Sequence, residues 1–266
     1  MKVVSFNINS VRAHLEQLLA VDQQIQPDII GLQEIKVHSD DYPEEVLAEN
    51  YHIYHFGQKT HYGVAIYTKY EPEQVYYGFP GDAPDAQRRL ITIDINHPTF
   101  GKLRVINGYF PQGDNINNEV KFPAKRKFYA DLVEYIKQTP AGYKLIIMGD
   151  YNISPTDKDI GIGAVNARRW LRTGKCSFQP EEREWMDKLY ALGLVDTFRI
   201  ANPEIDDKYS WFDYRSKGIE ENRGLRIDLI MCSQELSEHV ADSDIDLEIR
   251  RMDKPSDHAP VYTLFK

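Results

Sequence analysis

The stretch Leu145–Thr156, LIIMGDYNISPT, constrains the fold of this chain more than any other. Its apolar run, Leu145, Ile146, Ile147 and Met148, reads as a strand buried on both faces. Gly149 lets the backbone turn or approach another strand closely where that run ends. Asp150 and Asn152 follow two residues apart, so an extended backbone aims both to one side. A carboxylate and an amide there suit a metal ion or a phosphate. Gly, Asp and Asn are also the residues of an ordinary turn, and the stretch alone supports both readings.

The remaining chain supplies more strands of the same kind. Val3–Ile8 ends among Asn7, Asn9 and Ser10, with Ser10 placed to cap a helix running to about Gln24. Asp28–Leu32 closes on Gln33, Glu34 and Lys36. Tyr42–Glu49 reads as a short helix, and Tyr51–Phe56 and Tyr62–Thr68 as strands around the polar turn Gly57–Thr60. Leu90–Ile95 and Leu103–Asn107 form a pair joined at His97–Gly101, the second running into Gly108, Tyr109, Phe110 and Pro111. Val120–Gln138 carries the longest helical pattern, with Phe122, Phe128, Leu132, Val133 and Ile136 as core positions. Further helices are expected over Val165–Arg172 and Glu181–Leu192. Tyr209–Phe212, Leu225–Cys232, Ile245–Ile249 and Pro260–Phe265 read as strands. Strands that interleave with helices, yet often follow one another directly, point to a mixed α/β sheet system in one domain.

Composition narrows the classes. A chain of 266 residues can bury a large core without staples, and its two cysteines, Cys176 and Cys232, have no metal or redox spacing. The opening MKVVSFNINS is too polar for a signal peptide, and no apolar run approaches a membrane span. A soluble protein of a reducing compartment is expected. The net charge of -9 argues against binding polyanions through overall charge, so any nucleic-acid contact must come from a local basic face.

Polar residues recur where apolar strands end. Asn7, Glu34, Tyr109, Asp150 and Asn152 each follow one, and Asp257 and His258 directly precede the last. Asp228 stands inside the apolar RIDLIM, where an unpartnered carboxylate is costly. Each residue has an ordinary alternative. Glu34 reads as a surface carboxylate, Asn7 as a helix-entry residue, Asp257 as a turn cap, His258 as a structural histidine and Tyr109 as core, while Asp228 could pair with Arg226. Together they make a set of oxygen ligands with one histidine and no cysteine cluster. Such a set suits Mg²⁺ or Mn²⁺ over zinc, and hydrolysis of a phosphate ester.

The blocks SFNIN (Ser5–Asn9), LQEIK (Leu32–Lys36), NGYFPQG (Asn107–Gly113), KFPAK (Lys121–Lys125), MGDYNISPTD (Met148–Asp157), SWFDYRSKG (Ser210–Gly218), NRGLRIDLI (Asn222–Ile230) and PSDHAPV (Pro255–Val261) run the length of the chain. By them the sequence resembles the exonuclease III family of apurinic/apyrimidinic endonucleases, its bacterial branch above all. The resemblance implies a four-layered α/β sandwich, two mixed β-sheets packed face to face with helices outside, in one domain over residues 1–266. It implies a cytoplasmic, monomeric, Mg²⁺-dependent DNA repair hydrolase, with Mn²⁺ able to substitute. Such an enzyme cuts duplex DNA 5′ to abasic sites and works at 3′ ends as exonuclease, phosphatase and phosphodiesterase. Glu34 is then the principal metal ligand, with Asn7, Asp150, Asn152 and Asp257 around the same centre. Tyr109 lies against the scissile phosphate, Asp150 and Asn152 handle the water, and His258 meets a phosphate oxygen, held by Asp228. Whether Tyr109 or Asp150 activates the water stays open at this level. Relatives in the animal branch carry aspartate where this chain has Asn9, so a negative ligand there is not implied.

DNA contacts are expected from local basic and aromatic groups: Arg89, Gln112, Lys121, Arg169 and Trp211, within clusters that include Lys125, Arg126, Lys127, Arg223 and Arg226. A solvated helix face is the ordinary alternative for each basic cluster. Trp211 and Phe212 are candidates for the wall of a pocket that admits a flipped-out, baseless sugar, with a core role as the alternative. Two other functions fit the same residues: a phosphatase or phosphodiesterase of inositol phosphates or sphingolipids, and a DNA-binding module with a degenerate site. The first would not be expected to carry NGYFPQG or SWFDYRSKG, and the second is opposed by a competent residue at every inferred site position.

Overall fold

The computed structural model describes residues 1–266. Twelve strands form two six-stranded sheets. In the first, the order is β11 (Val240–Ile245), β12 (Val261–Phe265), β1 (Lys2–Asn7), β2 (Ile29–Gln33), β4 (Val64–Thr68), β3 (His52–Phe56). In the second, it is β5 (Gln74–Tyr77), β6 (Leu90–His97), β7 (Gly101–Tyr109), β8 (Lys144–Asp150), β10 (Asp228–Ser233), β9 (Leu194–Asp196). Each sheet has one parallel pair at its centre, β1 with β2 and β7 with β8, flanked by antiparallel neighbours. Both parallel pairs end at the same edge of the molecule, one sheet delivering Asn7 and Gln33 and the other Tyr109 and Asp150.

Three stacked apolar cores account for four layers. Between the sheets, Val3, Ile29 and Ile66 meet Ile93, Val105, Ile146 and Met148. Outside the second sheet, α2 (Lys121–Lys137) and α4 (Pro180–Ala191) close over Ile106, Ile147 and Leu229 through Phe122, Tyr129, Leu132 and Trp185. Outside the first, α1 (Leu15–Ala20) and the turn that continues it, Val21–Ile25, cover Val4, Ile30 and Tyr67. The strands between two cores are therefore apolar on both faces, as Leu145–Met148 shows. The short helices α3 (Ala164–Thr173), α5 (Thr197–Ala201), α6 (Gln234–Ser237) and α7 (Leu247–Arg250) complete the chain.

Several expected elements differ. Tyr42–Glu49 is not a helix: Tyr42 is extended (φ -70, ψ 134) because Pro43 follows it, and Leu47 is left-handed (φ 67). Ser10 caps no helix. Its φ is 89, its N–H donates to the carbonyl of Glu34 at 2.7 Å, and the helix starts only at Leu15. Ile245–Ile249 is a strand end followed by α7, whose N-cap Asp246 accepts from the N–H of Ile249 at 2.9 Å. Tyr209–Phe212 joins no ladder and makes single bridges from Trp211 to Leu225 and His258. Asp228 opens β10 and does not sit in mid-strand. The short strands β5 and β9 and the polar strand β11 lack an apolar run that would announce them.

Gly149 faces Gly108 in register across the parallel pair. A Cβ at 149 would stand 2.0 Å from the Gly108 carbonyl oxygen, in backbone that cannot yield without opening the ladder. Gly149→Ala is therefore expected to cost about 1–3 kcal/mol or more of stability, read as a lower urea midpoint. An unchanged midpoint would refute the close approach as the reason for glycine.

Candidate active site

Where the two parallel pairs end, side chains from opposite sheets meet. The Asn7 side-chain amide donates to Glu34 Oε1 at 2.9 Å and to Asp150 Oδ2 at 2.9 Å, so one group at the end of β1 joins a carboxylate of each sheet. Ligand atoms of Glu34, Asp150 and His258 lie within 4.8 Å of one another. Register puts Asp228 directly across from Asp150 on the neighbouring strand. His258 bridges them: Nδ1 is 2.8 Å from Asp228 Oδ2, and Nε2 is 3.8 Å from Asp150 Oδ2. Asp228 is thus held by histidine and not by Arg226, which is fully buried and pairs instead with Asp159 and Asp196, each at 2.6 Å.

The turn after β8 is fixed on every side. Asn152 is left-handed (φ 51), its N–H donates to Asp150 Oδ1 at 3.0 Å, and its amide donates to the Phe110 carbonyl at 2.9 Å. Glu34, Asn9, Lys36 and Tyr62 are also left-handed non-glycine residues. Asp257 lies beside the Asn7–Glu34–Asp150 group, its oxygens accepting from Asn9 Nδ2 at 2.9 Å and Trp211 Nε1 at 3.1 Å. Tyr109 ends β7 next to Asp150, and the Arg89 guanidinium lies 4.7 Å from its ring and 4.5 Å from that of Tyr62.

The electrostatics follow from this crowding. Burial raises the Asp150 carboxyl above the usual carboxylate range; the positive His258 opposes that rise, and Asp228 and Glu34 add to it. For His258 burial works against the charge, but Asp228 and Asp150 outweigh it and raise its pKa. The Tyr109 phenol is pushed far up, by burial first and then by Glu34 and Asp150. Four carboxylates, of Glu34, Asp150, Asp228 and Asp257, are linked through Asn7, Asn9 and His258, and the cations in direct contact with them are Lys36, 3.1 Å from Glu34, and His258. Oδ1 of Asp228 is buried without a partner. Glu34, Asp150 and His258 bring ligand atoms close enough together to hold a metal ion, and carboxylate oxygens suit a hard divalent one.

The expected DNA contacts divide. Gln112, Lys121 and Arg169 are exposed, while Arg89 is half-buried in its stack with Tyr62 and Tyr109. Arg169, Trp170, Lys175 and Trp211 line one cavity of about 160 Å³. Trp211 is half-buried beside Asp257, whereas Phe212 is wholly buried and belongs to the core. Lys125 and Arg226 are buried in ion pairs and face no solvent, and Arg126 is tied to Glu181. Sequence reasoning missed Lys36, whose Nζ is 2.5 Å from Asn9 Oδ1, and Tyr62, which packs near Tyr109; position 36, two past Glu34, was the available signal for the first.

The sequence matches the model of the Endonuclease/Exonuclease/phosphatase family over residues 4–258. It is similar to the Exodeoxyribonuclease III of Haemophilus influenzae, 58% identical over 269 residues that span all of both chains. Among solved structures it is similar to the 3′ phosphatase NExo from Neisseria bound to product DNA hairpin (36% identity, TM-score 0.90, 100% of this chain and 99% of that one). It is also similar to an AP endonuclease from Archaeoglobus fulgidus (32% identity, TM-score 0.89, 100% and 99%).

The raised pKa of His258 sets a pH dependence. A group that binds its proton more tightly when folded stabilises the fold fully below its unfolded value, about 6.5 for histidine, and loses that contribution as pH rises through the folded value. The raised Asp150 acts in the same direction. In chelator, stability is therefore expected to fall between about pH 6 and pH 9, with a shallower slope in His258→Gln. Urea midpoints at the two pH values check it, and equal slopes in both proteins would remove His258 as the source.

Proposed function

The chain belongs to the endonuclease/exonuclease/phosphatase family and is a DNA repair nuclease, and we propose that it incises duplex DNA 5′ to abasic sites and trims or unblocks 3′ ends. The observation that carries this reading is the convergence of Glu34, Asp150 and His258 at one sheet edge, with Asp228 behind the histidine and Trp211 alongside. The metal is Mg²⁺, with Mn²⁺ able to replace it, because the donors are carboxylate and amide oxygens. Glu34, Asn7, Asp150, Asn152 and Asp257 form its surroundings. Bound there, it neutralises charge on the phosphoryl oxygens.

The chain's own groups divide the work. The Tyr109 phenol, raised by burial and then by Glu34 and Asp150, is placed to donate a hydrogen bond to the phosphate. Asp150, its Oδ1 fixed by the Asn152 N–H, is placed to take the proton of the attacking water. Asn152 holds that water's position. His258, oriented by Asp228, presents Nε2–H to a phosphate oxygen. Gln112, Lys121, Arg89 and Arg169 meet the DNA backbone, and the half-buried Trp211 walls the baseless sugar. We take the enzyme to act as a monomer. No helix is long and apolar enough to cross a membrane; we place the enzyme in the bacterial cytosol, where its DNA is.

A duplex carrying one synthetic abasic site, assayed with and without chelator, tests the reading. The parent protein is expected to cut on the 5′ side only when metal is present. Asp150→Ala and Glu34→Ala are expected to lower incision by on the order of 10²–10⁴-fold while remaining folded. Undiminished cutting by metal-free Asp150→Ala would overturn the mechanism. Trp211→Ala should weaken abasic-site incision more than it lowers the melting temperature, and equal incision by folded mutant and parent would remove it from the pocket.

A further inference from the structure

Behind the Asp150–Asn152 turn lies an ion pair that the reaction as derived does not use. Lys125, in the second turn of α2, and Glu182, in the first turn of α4, are both fully buried, with Nζ 2.5 Å from Oε1. The same ammonium donates to the carbonyl of Asn152 at 2.8 Å and to that of Gln112 at 3.2 Å, which employs all three of its protons. The other oxygen of Glu182 accepts from the N–H groups of Ser177 and Gln179, each at 2.8 Å. One lysine therefore ties together the catalytic turn, the loop after Tyr109 and, through Glu182, the loop that enters α4.

We infer that Lys125 is a positioning residue for phosphodiester cleavage: held by Glu182, its ammonium fixes the carbonyls of Asn152 and Gln112 and so aims the side chain of Asn152. The inference rests on the nuclease reading above. Stability alone does not call for such a pair, because well-packed apolar side chains of similar volume commonly serve a core as well or better. What apolar side chains lack is donors. The Asn152 carbonyl lies past the end of β8 at Asp150, outside the ladder, and a buried carbonyl without a donor is costly. Tyr129, one helical turn further along α2, adds a second support: its hydroxyl donates to the Tyr151 carbonyl at 2.6 Å. Helix α2 thus grips two consecutive carbonyls of the turn. Gly113 completes the arrangement, since a Cβ there would lie 2.9 Å from Lys125 Cδ.

The test compares two paired variants of the full-length protein at a temperature well below both melting transitions, with Mg²⁺ and the abasic duplex. Lys125→Met/Glu182→Gln removes the clamp. Asp94→Asn/Arg104→Met removes a buried pair on β6 and β7 that pairs with none of the site residues, Arg104 Nη2 lying 2.7 Å from Asp94 Oδ2. Positioning predicts a kcat about 10- to 100-fold lower per folded molecule in the clamp variant, KM within about threefold, and a control kcat within about twofold of the parent. If the clamp variant does not fold, Glu182→Gln alone carries the test, with a smaller loss expected but again in kcat. A parental kcat in a folded clamp variant, or a loss matched by the control, would overturn the inference. Failure of the parent to cut would overturn the nuclease reading instead, so the two failures are distinguishable.

Discussion

The side-chain amide of Asn7 reaches a carboxylate from each sheet at 2.9 Å, and most of the molecule's chemistry depends on that short span. Two sheets packed face to face stand about 10 Å apart, so what joins them is carried by side chains that reach across the gap. Here polar groups span the gap beneath the site. Asn107 of the second sheet accepts from the Gln33 amide at 2.6 Å and donates to the carbonyls of Leu32 and Ala65 in the first, each at 2.9 Å. Gln33 directly precedes Glu34, and Asn107 lies two residues before Tyr109 on the same strand. The relation between Glu34 and Tyr109 is therefore set inside the core.

Charge is partitioned with the same economy. Cations deep in the structure, Lys125, Arg104 and Arg226, are each matched to buried carboxylates, as desolvation demands. The site is left with more carboxylates than cations. A protein of net charge -9 thereby concentrates negative charge at one point, while basic groups such as Lys121 and Arg169 stay exposed.

Much of the fold was legible because buried strands must be apolar on both faces. Leu145–Met148, Val3–Phe6 and Ile29–Leu32 announce themselves, and so does the buried stripe of α2. Elements that rely on neighbours were not legible. The edge strand β5, with three exposed residues of four, carries no pattern, and Tyr42–Glu49 has helical composition that Pro43 overrides. Lys125 was misread as a candidate DNA contact although it falls on the core stripe between Phe122 and Tyr129. Spacing placed it inside; its charge suggested outside, and only the presence of Glu182 on another helix settles the matter.

The stretch Leu145–Thr156 shows where sequence stops and tertiary structure begins. The sequence by itself determined a doubly buried strand, a glycine at its end and two polar residues after it, because side-chain hydrophobicity is a local property; the left-handed turn at Asn152 is what sets the second beside the first. It also determined that the polar set suits a hard cation, since ligand chemistry belongs to residue type. Only the folded chain decided that Gly149 lies against Gly108, that Asp228 stands opposite Asp150, and that His258 and not Arg226 is the partner of Asp228. Those are relations of register and distance between segments far apart in the chain, which packing of the two sheets sets and no single segment encodes.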